Sequence, residues 1–140
     1  MTKTPNNPVL GDGGIHHVAL RVADFEKSLA FYTSVLGCVE KVRWNESPKR
    51  IVLLDLGNGS YIELFENGQN KPKVDDAFWH IALRVADADA LFKRCREAGC
   101  EAYVEPKSLE NLGGKGLNVR LAFIKGPDGE LIEFFQCDGL

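Results

Sequence analysis

The sequence of 140 residues predicts an α+β fold in which two βαβββ modules follow one another within a single domain. The first observation behind this is an internal repeat, because residues 17–24 (HVALRVAD) return as residues 80–87 (HIALRVAD) with seven of eight positions identical. The second is that each octet leads into a segment with helical periodicity that ends in Gly-Cys, and the third is that strand-like runs then follow. Self-similarity of this kind is typical of a duplicated structural module.

Each octet is short, apolar and partly β-branched, which is typical of a strand. Asp24 and Asp87 stand where a helix N-cap belongs, and Gly37 and Gly99 stand where a C-terminal cap belongs. The apolar positions of the two helical segments are Phe25, Leu29, Tyr32, Val35 and Leu36 in the first copy and Leu91, Phe92 and Cys95 in the second. Each octet is therefore predicted to be a strand that leads into a helix.

Three further strands are expected in each module, at 39–44, 50–56 and 60–65 in the first and at 101–104, 117–124 and 130–136 in the second. Short glycine-containing turns join the last two strands of each module. The polar segment 67–76 is predicted to be a linker, and the glycine-rich segment 107–116 either a flexible loop or a lid over the site. The modules thus span about 14–66 and 77–137, within one domain that covers 1–140.

Composition limits the classes of partner. Seventeen Lys and Arg against twenty Asp and Glu give a formal net charge of −3 without any basic stretch, so nucleic acid is not an expected partner. No apolar run has the length of a signal peptide or of a membrane span. The four cysteines form no CxxC pair. We therefore expect a cytoplasmic protein with reduced thiols that does not bind membranes.

Two carboxylates interrupt apolar strands at equivalent places, Glu63 within YIELF and Glu133 within LIEFF. Carboxylates are rarely buried without a partner, and each module also places one histidine, His17 or His80, at the start of its first strand. Two His and two Glu form a four-ligand set that suits a divalent metal. The alternative is that the histidines are ordinary surface or core residues and the glutamates point outward from half-exposed strands. His16 is interpreted as such an ordinary surface or core residue, because strand alternation would turn it away from His17.

The chain resembles the vicinal oxygen chelate superfamily and, within it, the lactoylglutathione lyase (glyoxalase I) branch. The resemblance covers about residues 14–137 and is carried by residues 17–24 (HVALRVAD), 28–37 (SLAFYTSVLG), 62–67 (IELFEN), 80–83 (HIAL) and 126–133 (GPDGELIE). It implies a curved mixed sheet around a metal site in which the ligands are His17, Glu63, His80 and Glu133. Zn, Ni, Co and Mn all suit this ligand set.

The resemblance also implies an activity, namely a metal-dependent lyase or isomerase acting on the hemithioacetal of glutathione and methylglyoxal. The metal would act as a Lewis acid that stabilises an enediolate, while Glu133 moves a proton between adjacent carbons with Glu63 as its counterpart. Arg21 and Asn67 resemble the residues that contact glutathione in this branch, and Arg21 lies roughly 13 Å along its strand from His17 at about 3.3 Å per residue. A homodimer is implied as well, with the site either within one chain or across the interface.

Three alternatives stay open. A methylmalonyl-CoA epimerase-like enzyme uses similar proton chemistry, although its last hairpin often reads Pro-Lys where this chain has Pro127 and Asp128. An extradiol dioxygenase needs only two His and one carboxylate. A bleomycin-resistance-type protein is a metal-free drug-binding dimer, which the two His and two Glu disfavour. For Arg21 the alternative is a structural, outward-facing residue, because Arg84 repeats it in the second module.

Overall fold

The computed structural model describes residues 8–11, 15–68 and 79–139. Its contacts divide the chain into two compact units, Met1–Gln69 and Asn70–Leu140. Each unit contains one four-stranded mixed sheet and one helical segment in the order βαβββ, and a short 3-10 helix at Pro8–Leu10 precedes the first. The predicted α+β fold of two βαβββ modules is confirmed. No helix in the described ranges is long and apolar enough to cross a membrane.

The first unit consists of β1 (His17–Val22), α1 (Phe25–Ala30), β2 (Val39–Trp44), β3 (Ile51–Gly57) and β4 (Ser60–Glu66). The sheet has the order β1-β4-β3-β2, in which β1 and β4 are parallel and the other pairs are antiparallel. Alternate residues of β4, Ile62 and Leu64, are buried in the core, and α1 packs against this strand. Glu63 lies between them and so belongs to the opposite face of the sheet.

The second unit repeats this arrangement with β5 (His80–Arg84), α2 (Ala88–Glu97), β6 (Glu101–Leu112), β7 (Leu117–Lys125) and β8 (Leu131–Gln136). The sheet order is β5-β8-β7-β6, and β5 and β8 are parallel. Ile132 and Phe134 of β8 are buried, and α2 packs against β7 and β8. Glu133 therefore also lies on the face opposite to the buried core.

Both helices begin at the predicted aspartate. The carboxylate of Asp24 accepts a hydrogen bond from the backbone N–H of Lys27 at 3.0 Å, and that of Asp87 accepts one from Ala90 at 3.0 Å. Each carboxylate thus satisfies a backbone donor that a helix leaves unpaired in its first turn. The prediction of the two N-caps is confirmed.

The helical segment of the first unit changes character after α1. Residues Phe31–Val35 form a π-helix, in which the Leu36 N–H donates to the Phe31 carbonyl at 3.1 Å. The first module has one residue more than the second between its N-cap aspartate and its terminal glycine, Gly37 or Gly99. A π-turn takes up such an extra residue without shifting the following strand. Both glycines end the segment at positive φ, 77° and 93° respectively, as predicted for C-terminal caps.

The structure corrects the interpretation of residues 107–116 as a loop or lid. Strand β6 continues to Leu112, and a short turn then joins it to β7. The pairing register shifts between Val104 and Lys107, around Pro106, which is where a strand tolerates proline. In the turn, the Asn111 side chain accepts a hydrogen bond from the Gly116 N–H at 2.7 Å. Most of the predicted linker, residues 69–76, lies outside the described residues.

Candidate metal and substrate site

The first unit brings His17 and Glu63 together. His17 begins β1, and the parallel pairing of β1 with β4 sets Glu63 opposite Ala19, two residues further along on the same face as His17. His17 Nε2 lies 3.7 Å from Glu63 Oε1, and the glutamate side chain is only 14% exposed. Both side chains predicted for the metal site from this module therefore meet on one face of the sheet.

The second unit brings His80 and Glu133 together in the same way. His80 begins β5, and Glu133 pairs with Ala82 across the parallel strands. His80 Nε2 lies 3.9 Å from Glu133 Oε1, and the glutamate side chain is 12% exposed. Burial raises the pKa of Glu133, and the nearby His80 opposes this rise only in part.

Separations of 3.7 and 3.9 Å are too long for direct hydrogen bonds. Two ligand atoms held at roughly 2.1 Å from a tetrahedral ion are roughly 3.4 Å apart, so a small side-chain adjustment would let each pair bind one cation. In each unit the imidazole and the carboxylate thus present ligand atoms at a spacing that fits a divalent metal.

The surroundings of the two glutamates also fit a cation. Among the described residues, neither carboxylate accepts a hydrogen bond or pairs with a Lys or Arg, and each lies beside the histidine of its own module. His80 Nδ1 is buried and has no hydrogen-bond partner within the described part of the chain. No group of three or more His, Cys, Asp or Glu that could hold a metal ion occurs in that part of the chain, and each unit brings together one histidine and one glutamate.

Arg21 and Asn67, the predicted substrate-binding residues, lie at the far end of β1 and β4. Arg21 is exposed on the face that carries His17, and no carboxylate in the described ranges pairs with it. Asn67 is exposed just after β4, where the Gly68 N–H donates to the Val22 carbonyl at 3.0 Å and so holds this segment beside the end of β1. A Cβ at Gly68 would lie 2.5 Å from the Val22 carbonyl carbon, so this close approach requires glycine.

Comparisons with known proteins agree with this architecture. The sequence profile of the Glyoxalase/Bleomycin resistance protein/Dioxygenase superfamily matches residues 14–134. The chain belongs to this superfamily. A probable lactoylglutathione lyase of Vibrio parahaemolyticus is 35% identical over 134 residues, which cover 91% of this chain and 93% of that protein. The lactoylglutathione lyase of Salmonella typhimurium is 35% identical over 128 residues, covering 86% and 90% of the two chains.

A solved structure extends the comparison to three dimensions. The glyoxalase I of Leishmania major, described as trypanothione-dependent, superposes with a TM-score of 0.70 at 29% identity, covering 89% of this chain and 86% of that chain. The resemblance to the glyoxalase superfamily predicted from sequence is confirmed, and so is its α+β fold of two βαβββ modules.

The sequence did not reveal a pair of arginines that tie helix to sheet in both glyoxalase modules. Arg50 donates to Glu26 of α1 at 2.6 Å and to Glu66 of β4 at 2.7 and 3.0 Å. Arg120 of β7 donates to Asp89 of α2 at 2.8 and 2.9 Å. Each arginine stands 13 residues before the candidate metal-ligand glutamate of its module, so the signal was present in the repeat. The hydrogen bonds from Arg50 lower the pKa of Glu66 to about 2.

His16 is exposed, but the prediction that it faces away from His17 is wrong. Its Nδ1 lies 3.0 Å from the Nδ1 of His17, and its ring stacks on Tyr61 with a centroid separation of 4.8 Å. His16 precedes the first residue of β1, so the alternation of side chains along a strand does not apply to it.

Proposed function

We propose that this protein is a metal-dependent lyase of the glyoxalase I type, which isomerises the hemithioacetal of glutathione and methylglyoxal to a lactoylglutathione thioester. The observation that carries the proposal is the equivalent His–Glu pair in each module, with the two glutamates largely buried. Relatives named lactoylglutathione lyase share 35% identity with this chain over most of its length. The function predicted from the sequence agrees with these names.

His17, Glu63, His80 and Glu133 would together hold one divalent ion, for which Zn, Ni, Co and Mn are all suitable. In support, each carboxylate is removed from water and has no cationic Lys or Arg beside it among the described residues, which is costly unless another cation compensates. When bound, the ion supplies Lewis-acid chemistry that withdraws electron density from the substrate oxygens.

Glu133 would be the base that removes a proton from one substrate carbon and returns it to the adjacent carbon. Burial raises the pKa of this carboxyl. Because the side chain is only 12% exposed, its surroundings would limit exchange of the proton with water between the two steps. Glu63 would be its counterpart on the other face of the substrate.

Arg21 and Asn67 would bind the peptide part of a glutathione adduct. Arg21 is exposed, unpaired within the described residues and roughly 13 Å along β1 from His17 at about 3.3 Å per residue. That separation suits an anionic group remote from the reacting carbons, and a guanidinium binds a carboxylate through two parallel hydrogen bonds. Asn67 lies beside the same end of β1.

We further propose that both modules make one glyoxalase-like domain, 1–140, which acts as a cytoplasmic homodimer. Supporting the dimer, the edge strand β2 exposes the apolar side chains of Val39, Val42 and Trp44. An exposed apolar edge strand is a common site of pairing or packing with a second chain.

A mixing experiment distinguishes a site within one chain from a site across subunits. His17→Ala and His80→Ala chains are unfolded together and refolded, and turnover is measured with metal present. If the site is shared between subunits, the refolded mixture recovers about a quarter of the wild-type activity. Half of the dimers are then mixed, and each mixed dimer holds one intact site out of two. A site built within one chain stays inactive in every dimer.

Steady-state kinetics on the methylglyoxal-glutathione hemithioacetal test the proposed activity. We expect turnover that disappears when a chelator removes the metal and returns when the metal is restored. Metal binding without turnover would refute the substrate and favour another branch, such as a methylmalonyl-CoA epimerase-like enzyme. A protein that binds no metal would instead favour a bleomycin-resistance-type binder.

A further inference from the structure

The two ring nitrogens of His17 have different surroundings. Nε2 lies 3.7 Å from Glu63 Oε1, on the side where the proposed metal would bind. Nδ1 lies 3.0 Å from Nδ1 of His16, which is within hydrogen-bond distance. The nitrogen that would bind the metal and the nitrogen that meets His16 are therefore different atoms of the ring.

Proton placement follows from this geometry. A neutral imidazole carries one proton, so a histidine that binds a metal through Nε2 has its proton on Nδ1. That N–H then needs an acceptor, because metal-bound histidines almost always donate their second nitrogen to a nearby group. Nδ1 of His16 is in position to accept it when the proton of His16 is on Nε2.

The His16 ring is itself held in place. It stacks on Tyr61 with the centroids 4.8 Å apart and the planes 27° apart. The His16 carbonyl accepts the Tyr61 backbone N–H at 3.0 Å, which fixes the chain just before β1. The exposed His16 ring is thus positioned by a stacking contact and by the backbone hydrogen bond of its own residue.

The second module lacks this arrangement. Trp79 occupies the position equivalent to His16 and contacts His80 edge-on, with the centroids 4.7 Å apart. An indole has a donor but no acceptor, and His80 Nδ1 is buried without a partner among the described residues. The support of His17 is therefore a feature of the first module and not an inherited property of the repeat.

We infer that His16 is a positioning residue: its Nδ1 accepts the Nδ1–H of His17, which fixes the tautomer and the ring orientation that His17 needs to bind metal through Nε2. The inference rests on the proposed function, since it concerns a ligand of the proposed metal site. His16 itself contacts neither the metal nor the substrate.

Two substitutions separate the hydrogen bond from the rest of the side chain. His16→Asn keeps an acceptor oxygen at the same number of bonds from Cα as Nδ1, whereas His16→Leu keeps bulk and loses the acceptor. The affinity of metal-depleted protein for Zn²⁺ is measured by competition with a chelator, and the melting temperature of the metal-free protein is measured for each variant.

We expect His16→Leu to bind Zn²⁺ about 10- to 100-fold more weakly than wild type, the usual effect of removing such a partner. His16→Asn should recover most of that loss, and the metal-free melting temperatures should agree. If His16→Leu binds as tightly as wild type, or if His16→Asn binds as weakly as His16→Leu, the inference is wrong. If wild type binds no Zn²⁺, the proposed function fails instead.

Discussion

Replacing Glu133 by glutamine separates proton transfer from shape. The side chain is 12% exposed and lies on the sheet face opposite to the buried Ile132 and Phe134, so a substitute of nearly the same volume keeps its surroundings unchanged. Glutamine has nearly the same volume as glutamate but does not accept a proton at neutral pH. The variant should therefore fold like the wild type, while it loses the proposed base and one carboxylate ligand of the metal.

The size of the effect follows from the usual contribution of a general base. Burial removes the carboxyl of Glu133 from water and raises its pKa. Losing such a base lowers kcat by about 10²- to 10⁴-fold, which corresponds to about 3 to 5 kcal/mol in the barrier at 1.36 kcal/mol per tenfold. The KM for the hemithioacetal should change only a few-fold.

Glu63→Gln is the matched control, because Glu63 occupies the equivalent strand position and is 14% exposed. Both variants lose one carboxylate ligand, so kcat and KM are measured at saturating metal and the bound metal is quantified in the same samples. We expect the larger loss of kcat in Glu133→Gln. Equal losses in kcat and in substrate affinity, or equal kcat values for the two variants, would refute the assignment of the base.

Three further predictions concern binding, acid stability and thiol reactivity. Arg21→Ala should raise the KM for the hemithioacetal by about tenfold or more, because it removes a charge-assisted hydrogen bond to the substrate. Arg84→Ala at the equivalent position should leave the KM unchanged. An unaltered KM in Arg21→Ala would contradict the proposed role of Arg21 in substrate binding. Glu66→Gln should be less stable than wild type above pH 4.5, its ordinary pKa, and the difference should shrink as the pH falls toward the folded value of about 2, as urea unfolding at several pH values would detect. A difference independent of pH would contradict this ion-pair account. Burial raises the pKa of Cys38 to about 11 and of Cys95 to about 12, so few of these thiols are thiolates at pH 8. A thiol-alkylating reagent should therefore label both far more slowly in folded protein than in urea, as mass spectrometry would detect. Similar rates in the two states would show that neither thiol is protected.

Much of the fold could be predicted because the internal repeat places the same sequence features in both modules. Asp24 and Asp87 are short polar side chains directly before amphipathic segments, and such residues cap helices through local hydrogen bonds. Glu63 and Glu133 interrupt apolar alternation at the same strand position, and the parallel partner strand then places each beside a histidine. The helix caps depend on local sequence pattern, and the His–Glu pairs depend also on the parallel pairing of the first and last strands of each module.

The remaining features depend on contacts that no local pattern encodes. Residues of β6 after Val104 include Pro106 and several charges, which reduce strand propensity, and only pairing with β7 orders them as a strand. Simple alternation treats His16 as a strand residue, whereas β1 begins at His17, and the two imidazoles are in contact. The bonds from Arg50 and Arg120 join segments that are distant in sequence.

The central claim is that the His–Glu pairs of both modules bind one metal ion. The most direct measurement is the metal content of purified protein and of His80→Ala after equilibrium dialysis against Zn²⁺. We predict one ion per chain for the wild type and a large loss in His80→Ala with an unchanged circular dichroism spectrum, since a core of this size does not depend on a metal. Unchanged metal content in His80→Ala, or a wild-type protein that retains no Zn²⁺, would contradict the account.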